Sequence, residues 1–135
     1  MNAAPSTPKY RVLVVDDAHD HADVLAEFFA AAGHEARVAH NGELALSVVN
    51  EFQPQCVMFD VHMPSMGGHE LAQMLRTYFT DDLVLIGMSG YSSEDSSVAA
   101  AFSLVDYRFQ KPVDFERLAQ VLNGMRAGVA ATVRG

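Results

Sequence analysis

Val12-Leu13-Val14-Val15-Asp16-Asp17 is an unbroken apolar run that stops on two carboxylates, and Cys56-Val57-Met58-Phe59-Asp60 repeats the design further along the chain. Runs this short, rich in β-branched and large apolar side chains, read as strands; hydrophobicity without alternation implies cover on both faces, which is the habit of parallel sheets. If the two strands are neighbours, about 4.8 Å apart, their three carboxylates crowd one edge of the sheet, where mutual repulsion opposes full ionisation. A positive charge is needed there. The last strand-like run, Tyr107-Arg108-Phe109-Gln110, ends in Lys111-Pro112 and supplies one. A hard divalent cation with oxygen ligands would supply the rest.

Working outward, strands are expected over residues 11–15, 35–39, 56–59, 83–88 and 107–110. Helical spacing fills the gaps. Val24, Leu25, Phe28 and Phe29 mark the first helix, closed by Gly33, and Leu44, Ala45, Val48 and Val49 mark the second, which ends before Pro54. Leu71, Met74 and Leu75 mark the third, and Val98 with Phe102 a weaker fourth over 93–102, expected to be the most mobile helix. The fifth carries Phe115, Leu118, Val121, Leu122 and Met125, with Asp114 as N-cap. Five strands alternating with five helices predict an α/β, doubly wound, five-stranded parallel sheet of order 2-1-3-4-5. In that order strands one and three are adjacent and ligands bind beyond their carboxyl ends, where Asp16, Asp17 and Asp60 fall. Ser89 and Lys111 end the fourth and fifth strands on the same rim.

Length and composition bound the rest. The 135 residues suit one domain, half of them hydrophobic, and a formal net charge of -8 without a basic cluster argues against nucleic-acid binding. The single cysteine, Cys56, lies inside a predicted strand, so it reads as core in a reducing compartment. Residues 1–8 lack the apolar centre of a signal peptide, and no run approaches the ~18 apolar residues of a membrane span. The expectation is a cytoplasmic protein with no membrane contact: a flexible leader over 1–8, one domain over 9–127 and a frayed tail over 128–135.

These residues resemble the receiver domains of two-component response regulators. The resemblance rests on Val12-Leu13-Val14-Val15-Asp16-Asp17, Asp60-Val61-His62-Met63-Pro64-Ser65-Met66-Gly67-Gly68, Met88-Ser89-Gly90-Tyr91 and Lys111-Pro112-Val113-Asp114, and it is closest to receivers of hybrid histidine kinases and single-domain regulators. It implies the flavodoxin-like (βα)5 fold and a phosphorelay function, with Asp60 accepting a phosphoryl group from a histidine kinase or histidine phosphotransfer protein and output through a downstream protein partner. It implies Mg²⁺ (or Mn²⁺) held directly by Asp17, Asp60 and the backbone carbonyl of His62, with Asp16 acting through water. Lys111 would pair with Asp60 and then with the phosphoryl group, and the Ser89 hydroxyl would move towards it. Catalysis would be limited to Mg²⁺-dependent self-phosphorylation and autodephosphorylation, so the protein is not expected to be an enzyme in the turnover sense. A monomer or weak dimer is expected, and the initial Met1 with its short polar leader favours a stand-alone regulator over an excised receiver.

The pattern is broken in places. Arg108 stands three residues before the lysine, where the family usually has an aromatic residue that follows the Ser or Thr inward. Tyr107 is one residue earlier and so on the opposite face. Arg108 is expected on the outer face of the fourth helix, fifth strand and fifth helix, either as a reporter or partner contact or as a plain solvated arginine. Leu104 replaces a common glycine before the fifth strand, and His62 and Tyr91 are a bulky pair flanking the phosphoryl site. His19, His21 and His62 also raise the idea of a transition-metal site, against the plainer reading as surface loop residues. Two competing functions stay open: a Mg²⁺-dependent aspartyl-phosphate phosphatase, for which His62 has the spacing of a general acid but no cap exists, and a pseudo-receiver that binds partners without phosphorylation.

Overall fold

The computed structural model describes residues 9–63, 66–79, 83–90 and 96–133, the side chains of 96–97 and 126–133 excepted. The leader at 1–8 and Tyr91 lie outside the described residues. The chain runs β1 (Arg11–Val15), α1 (His19–Ala31), β2 (Glu35–Ala39), α2 (Gly42–Phe52), β3 (Cys56–Asp60), α3 (Gly68–Phe79), β4 (Val84–Ser89), α4 (Ser96–Phe102), β5 (Tyr107–Gln110) and α5 (Phe115–Val133). All strand pairings are parallel and the order is β2-β1-β3-β4-β5. Helix α5 carries helical backbone to Val133, into the segment expected to be a frayed tail over 128–135.

The alternation of side chains along each strand divides the apolar runs between two cores. Val12, Val14, Met58, Ile86 and Met88 face Leu25 and Phe29 of α1 and Leu118 and Leu122 of α5. Leu13, Val15, Val57, Phe59 and Leu85 face Ala45 and Val49 of α2, Leu71 and Leu75 of α3, and Val98 and Ala101 of α4. This is why the strands are apolar without alternation. Cys56 is fully buried, and burial pushes its thiol well above the usual cysteine range, so it is inert packing. No helix among the described residues is long and apolar enough to cross a membrane.

Local signals set the helix ends. Gly33 follows α1 with φ +97°, the left-handed conformation that suits glycine, and the His34 N–H bonds back to the Phe29 carbonyl. Asn41 caps α2 by accepting from the Leu44 N–H at 2.8 Å, and Gln53, with φ 52°, ends it one residue before Pro54. Asp114 caps α5, its Oδ1 accepting from the N–H groups of Glu116 and Arg117.

The turn into β5, where Leu104 stands, is held by a side chain from another helix. Arg76 of α3 donates to the carbonyls of Leu104 (2.9 Å) and Leu83 (2.6 Å) and to Asp106 Oδ2 (2.7 Å), which also accepts from the Leu85 N–H. One guanidinium thus ties α3, β4 and the α4–β5 turn together, using the fixed fork of donors only arginine offers. Arg76→Met keeps the aliphatic stem but strands two carbonyls, and it is expected to lower unfolding free energy by about 2 kcal/mol. Urea denaturation checks this; an unchanged midpoint would show the clamp to be dispensable.

Candidate functional site

The carboxyl ends of β1, β3, β4 and β5 converge on one edge. Asp16 continues β1, its N–H bonded to the Ala39 carbonyl at 3.1 Å, and is fully buried. Its Oδ1 accepts from the Ala18 N–H at 2.9 Å, while Oδ2 lies 2.5 Å from His21 Nδ1 and 3.3 Å from Lys111 Nζ. Asp60 closes β3 at 5% exposure; its Oδ1 accepts from the His62 N–H at 2.8 Å and its Oδ2 from Lys111 Nζ at 2.7 Å. Asp17, next in the chain, is exposed. One carboxylate oxygen from each of Asp16, Asp17 and Asp60 lies within 4.8 Å of the others, the one group of this kind among the described residues.

Lys111 is where the β4–β5 ladder delivers it, its N–H bonded to the Ser89 carbonyl at 2.8 Å, and its peptide bond to Pro112 is cis. Burial disfavours its ammonium, but the hydrogen bond to Asp60 and the charges of Asp60 and Asp16 outweigh this and hold its pKa above the usual lysine value. Ser89 is 2% exposed, its hydroxyl 3.2 Å from His62 Nε2.

Asp16, Asp17, Asp60, Ser89 and Lys111 therefore all stand on the predicted rim, with His62 immediately after β3. The imidazoles do not join the carboxylate group as ligands: His21 is engaged with Asp16, His62 with Ser89, and His19 stacks on His40 with centroids 3.6 Å apart. Among the described residues the transition-metal idea finds no histidine ligand set, because each of these rings is engaged in another contact. His21, named from the sequence only as a possible metal ligand, is a partner of Asp16, and the sequence did not point to His40, whose Nδ1 lies 3.1 Å from the Asp16 carbonyl. Only the abundance of histidine hinted at them, since neither spacing identifies a partner. Tyr107 packs with the α1–α5 core and Arg108 is exposed beside α4, on opposite faces as the alternation requires.

The donor set is all oxygen, with one pre-placed cation. Such a set suits a hard divalent ion such as Mg²⁺.

Residues 12–123 match the response regulator receiver domain family. The chain belongs to that family. It is 36% identical over 113 residues to the transcriptional regulatory protein ZraR of Klebsiella oxytoca, covering 83% of this chain and 25% of that protein. It is 30% identical over 128 residues to the sensor histidine kinase RcsC of Escherichia coli K12, covering 90% of this chain and 13% of the kinase. The receiver thus spans a quarter or less of these two relatives. A crystal structure of a response regulator receiver protein from Pseudomonas putida superposes with a TM-score of 0.78 at 25% identity, covering 88% of this chain and 99% of that one.

Within this receiver, the raised Lys111 pKa sets a pH dependence. Stabilisation from a cation whose folded pKa is raised is complete below the unfolded value and is lost as pH climbs through the folded value. Lys111→Met is expected to be less stable than wild type by about 2 kcal/mol, less than a fully buried pair because Lys111 is partly solvated. That margin should hold from neutral pH up to the ordinary lysine value of 10.5 and shrink beyond it. Thermal denaturation of both proteins across this range checks the sign; a margin that grows with alkalinity would contradict it.

Proposed function

We propose that Asp60 accepts a phosphoryl group from a phosphohistidine on a kinase or phosphotransfer protein, and that the receiver signals through a downstream protein partner. The observation that carries this reading is the pairing of a buried Asp60 with Lys111 Nζ at 2.7 Å inside a cluster of three carboxylates. An Asp60 oxygen forms the new bond to phosphorus as the phosphorus–nitrogen bond of the donor breaks, and the imidazole leaves with that electron pair. A carboxylate is a weak nucleophile, so the rate must come from positioning and from charge neutralisation on the transferring oxygens. Lys111 supplies a fixed positive charge to those oxygens, and the Ser89 hydroxyl donates to one of them on leaving His62.

Asp17, Asp60 and the His62 backbone carbonyl would hold Mg²⁺ (or Mn²⁺), which when bound supplies further positive charge to the phosphoryl oxygens. Asp16, whose two oxygens already accept from Ala18, His21 and Lys111, is suited to reach it through water. The histidine donor would dock on the open groove of about 570 Å³ beside Lys111, whose wall includes Val24, Pro112 and Phe115. Val24 is half exposed there, an apolar contact for a helix presenting an imidazole. On this reading the protein is cytoplasmic and its chemistry is confined to its own phosphorylation and dephosphorylation.

Incubation with phosphoramidate and Mg²⁺ is expected to add a single phosphoryl group per chain, lost in Asp60→Asn and with chelator, as read by intact-protein mass. Multiple turnover of a generic phosphoester would favour the phosphatase. No uptake of phosphoryl group or of beryllofluoride would favour the pseudo-receiver.

A further inference from the structure

Arg108 occupies the position expected to be aromatic, and an aromatic ring reaches it from a different element. Gly87 of β4 pairs with Arg108 of β5, so both present the face covered by α4, as does Ser89 two residues beyond Gly87. The space a side chain at Gly87 would fill is taken: a Cβ there would stand 2.9 Å from Phe102 Cε1, 3.2 Å from Cδ1 and 3.4 Å from Val105 Cγ1. The ring at the end of α4 therefore rests on the bare backbone of β4. Arg108 covers the same ring, its guanidinium carbon 4.9 Å from the centroid. Arg108 is exposed and Phe102 half buried, a cation–π contact whose charge stays hydrated.

Resting on the phosphoacceptor reading of Asp60, we propose that Phe102 is the aromatic element of this receiver's switch and Arg108 its latch. The ring is held over Gly87 in the resting state and released when Ser89 moves towards a phosphoryl group. An arginine on β5 cannot itself swing a ring inward, but its planar cation grips a ring supplied by α4. The ring contacts β4 without slack, so a shift at Ser89 that carries Gly87 with it displaces Phe102; close-packed contacts change arrangement more readily than they stretch. Arg76 fixes the turn just beyond, at Leu104 and Asp106, which leaves the Phe102–Arg108 contact as the part that gives.

A contact made only in the resting state weakens binding of any ligand that favours the other state, and its removal strengthens that binding by the same factor. Beryllofluoride with Mg²⁺, titrated calorimetrically into the full chain, is the probe. Arg108→Met and Phe102→Leu are each expected to bind it about two- to fivefold more tightly than wild type. The double variant should bind no more tightly than either, because the two residues act as one unit. Phe102→Trp, in a chain without tryptophan, gives a second readout. Its emission should change on beryllofluoride addition, and adding Arg108→Met should make the free form already emit like the bound one. Equal affinities with a silent tryptophan, or additive tightening in the double variant, overturn the latch and leave the Asp60 reading intact. Failure of wild type to bind the probe above an Asp60→Asn blank overturns both.

Discussion

Two nearly buried carboxylates facing each other across adjacent parallel strands are the constraint that the rest of this receiver is arranged around. With Asp16 and Asp60 oxygens within 4.8 Å, their repulsion at a protein-like effective dielectric is about 3–4 kcal/mol. That equals what one or two fully buried apolar side chains contribute, so the pocket must be balanced locally. Lys111 does so by reaching both carboxylates from the end of β5, and His21 and the N–H groups of Ala18 and His62 hydrogen-bond to them as well. The balance is incomplete by design of charge: Asp17 adds a third, exposed carboxylate that the lysine does not reach in any described contact. A net negative pocket with one fixed cation is one that a hard divalent ion would bring towards neutrality.

The sheet order makes this possible. β1 and β3 are adjacent because the winding reverses between them, and only there do two strand ends open onto a gap between helices on opposite faces. The same geometry divides the work between faces. Lys111 and the groove beside α1 and α5 lie on one side, whereas Ser89, Gly87 and Arg108 look towards α4. Neither face requires the other's side chains, but both are tied to the same strand ends by the β4–β5 ladder, where the Lys111 N–H bonds the Ser89 carbonyl.

How much of this the sequence disclosed follows from which interactions are local. Apolar runs ending on Asp17, Asp60 and Lys111 locate the strands and their shared edge, because parallel topology admits few arrangements. The opposition of Tyr107 and Arg108 follows from strand periodicity alone. The partners of Asp16 were not legible: His21 is reached only through the turn into α1, and His40 only through the register of β2. Arg76 reads as a solvated helix residue, since its acceptors are backbone carbonyls with no residue identity to recognise. Phe102 was legible as a core residue of a weak helix. Its place on Gly87 depends on a missing side chain on the neighbouring strand, opposite Arg108, which no periodicity marks.

The chemistry and its transmission differ in what a substitution costs. Removing Lys111 leaves two buried carboxylates without the cation they share, a change on the scale of about 2 kcal/mol. Arg108 sits exposed on the edge strand, and exchanging an aromatic residue for it risks only a surface contact of about 0.5–1 kcal/mol. A contact that weak would be a poor foundation for a pocket, but it is the right size for a switch. On the proposed reading, phosphorylation of Asp60 would have to reverse it using only the difference in contacts at Ser89, and a latch of several kcal/mol would hold the resting state regardless.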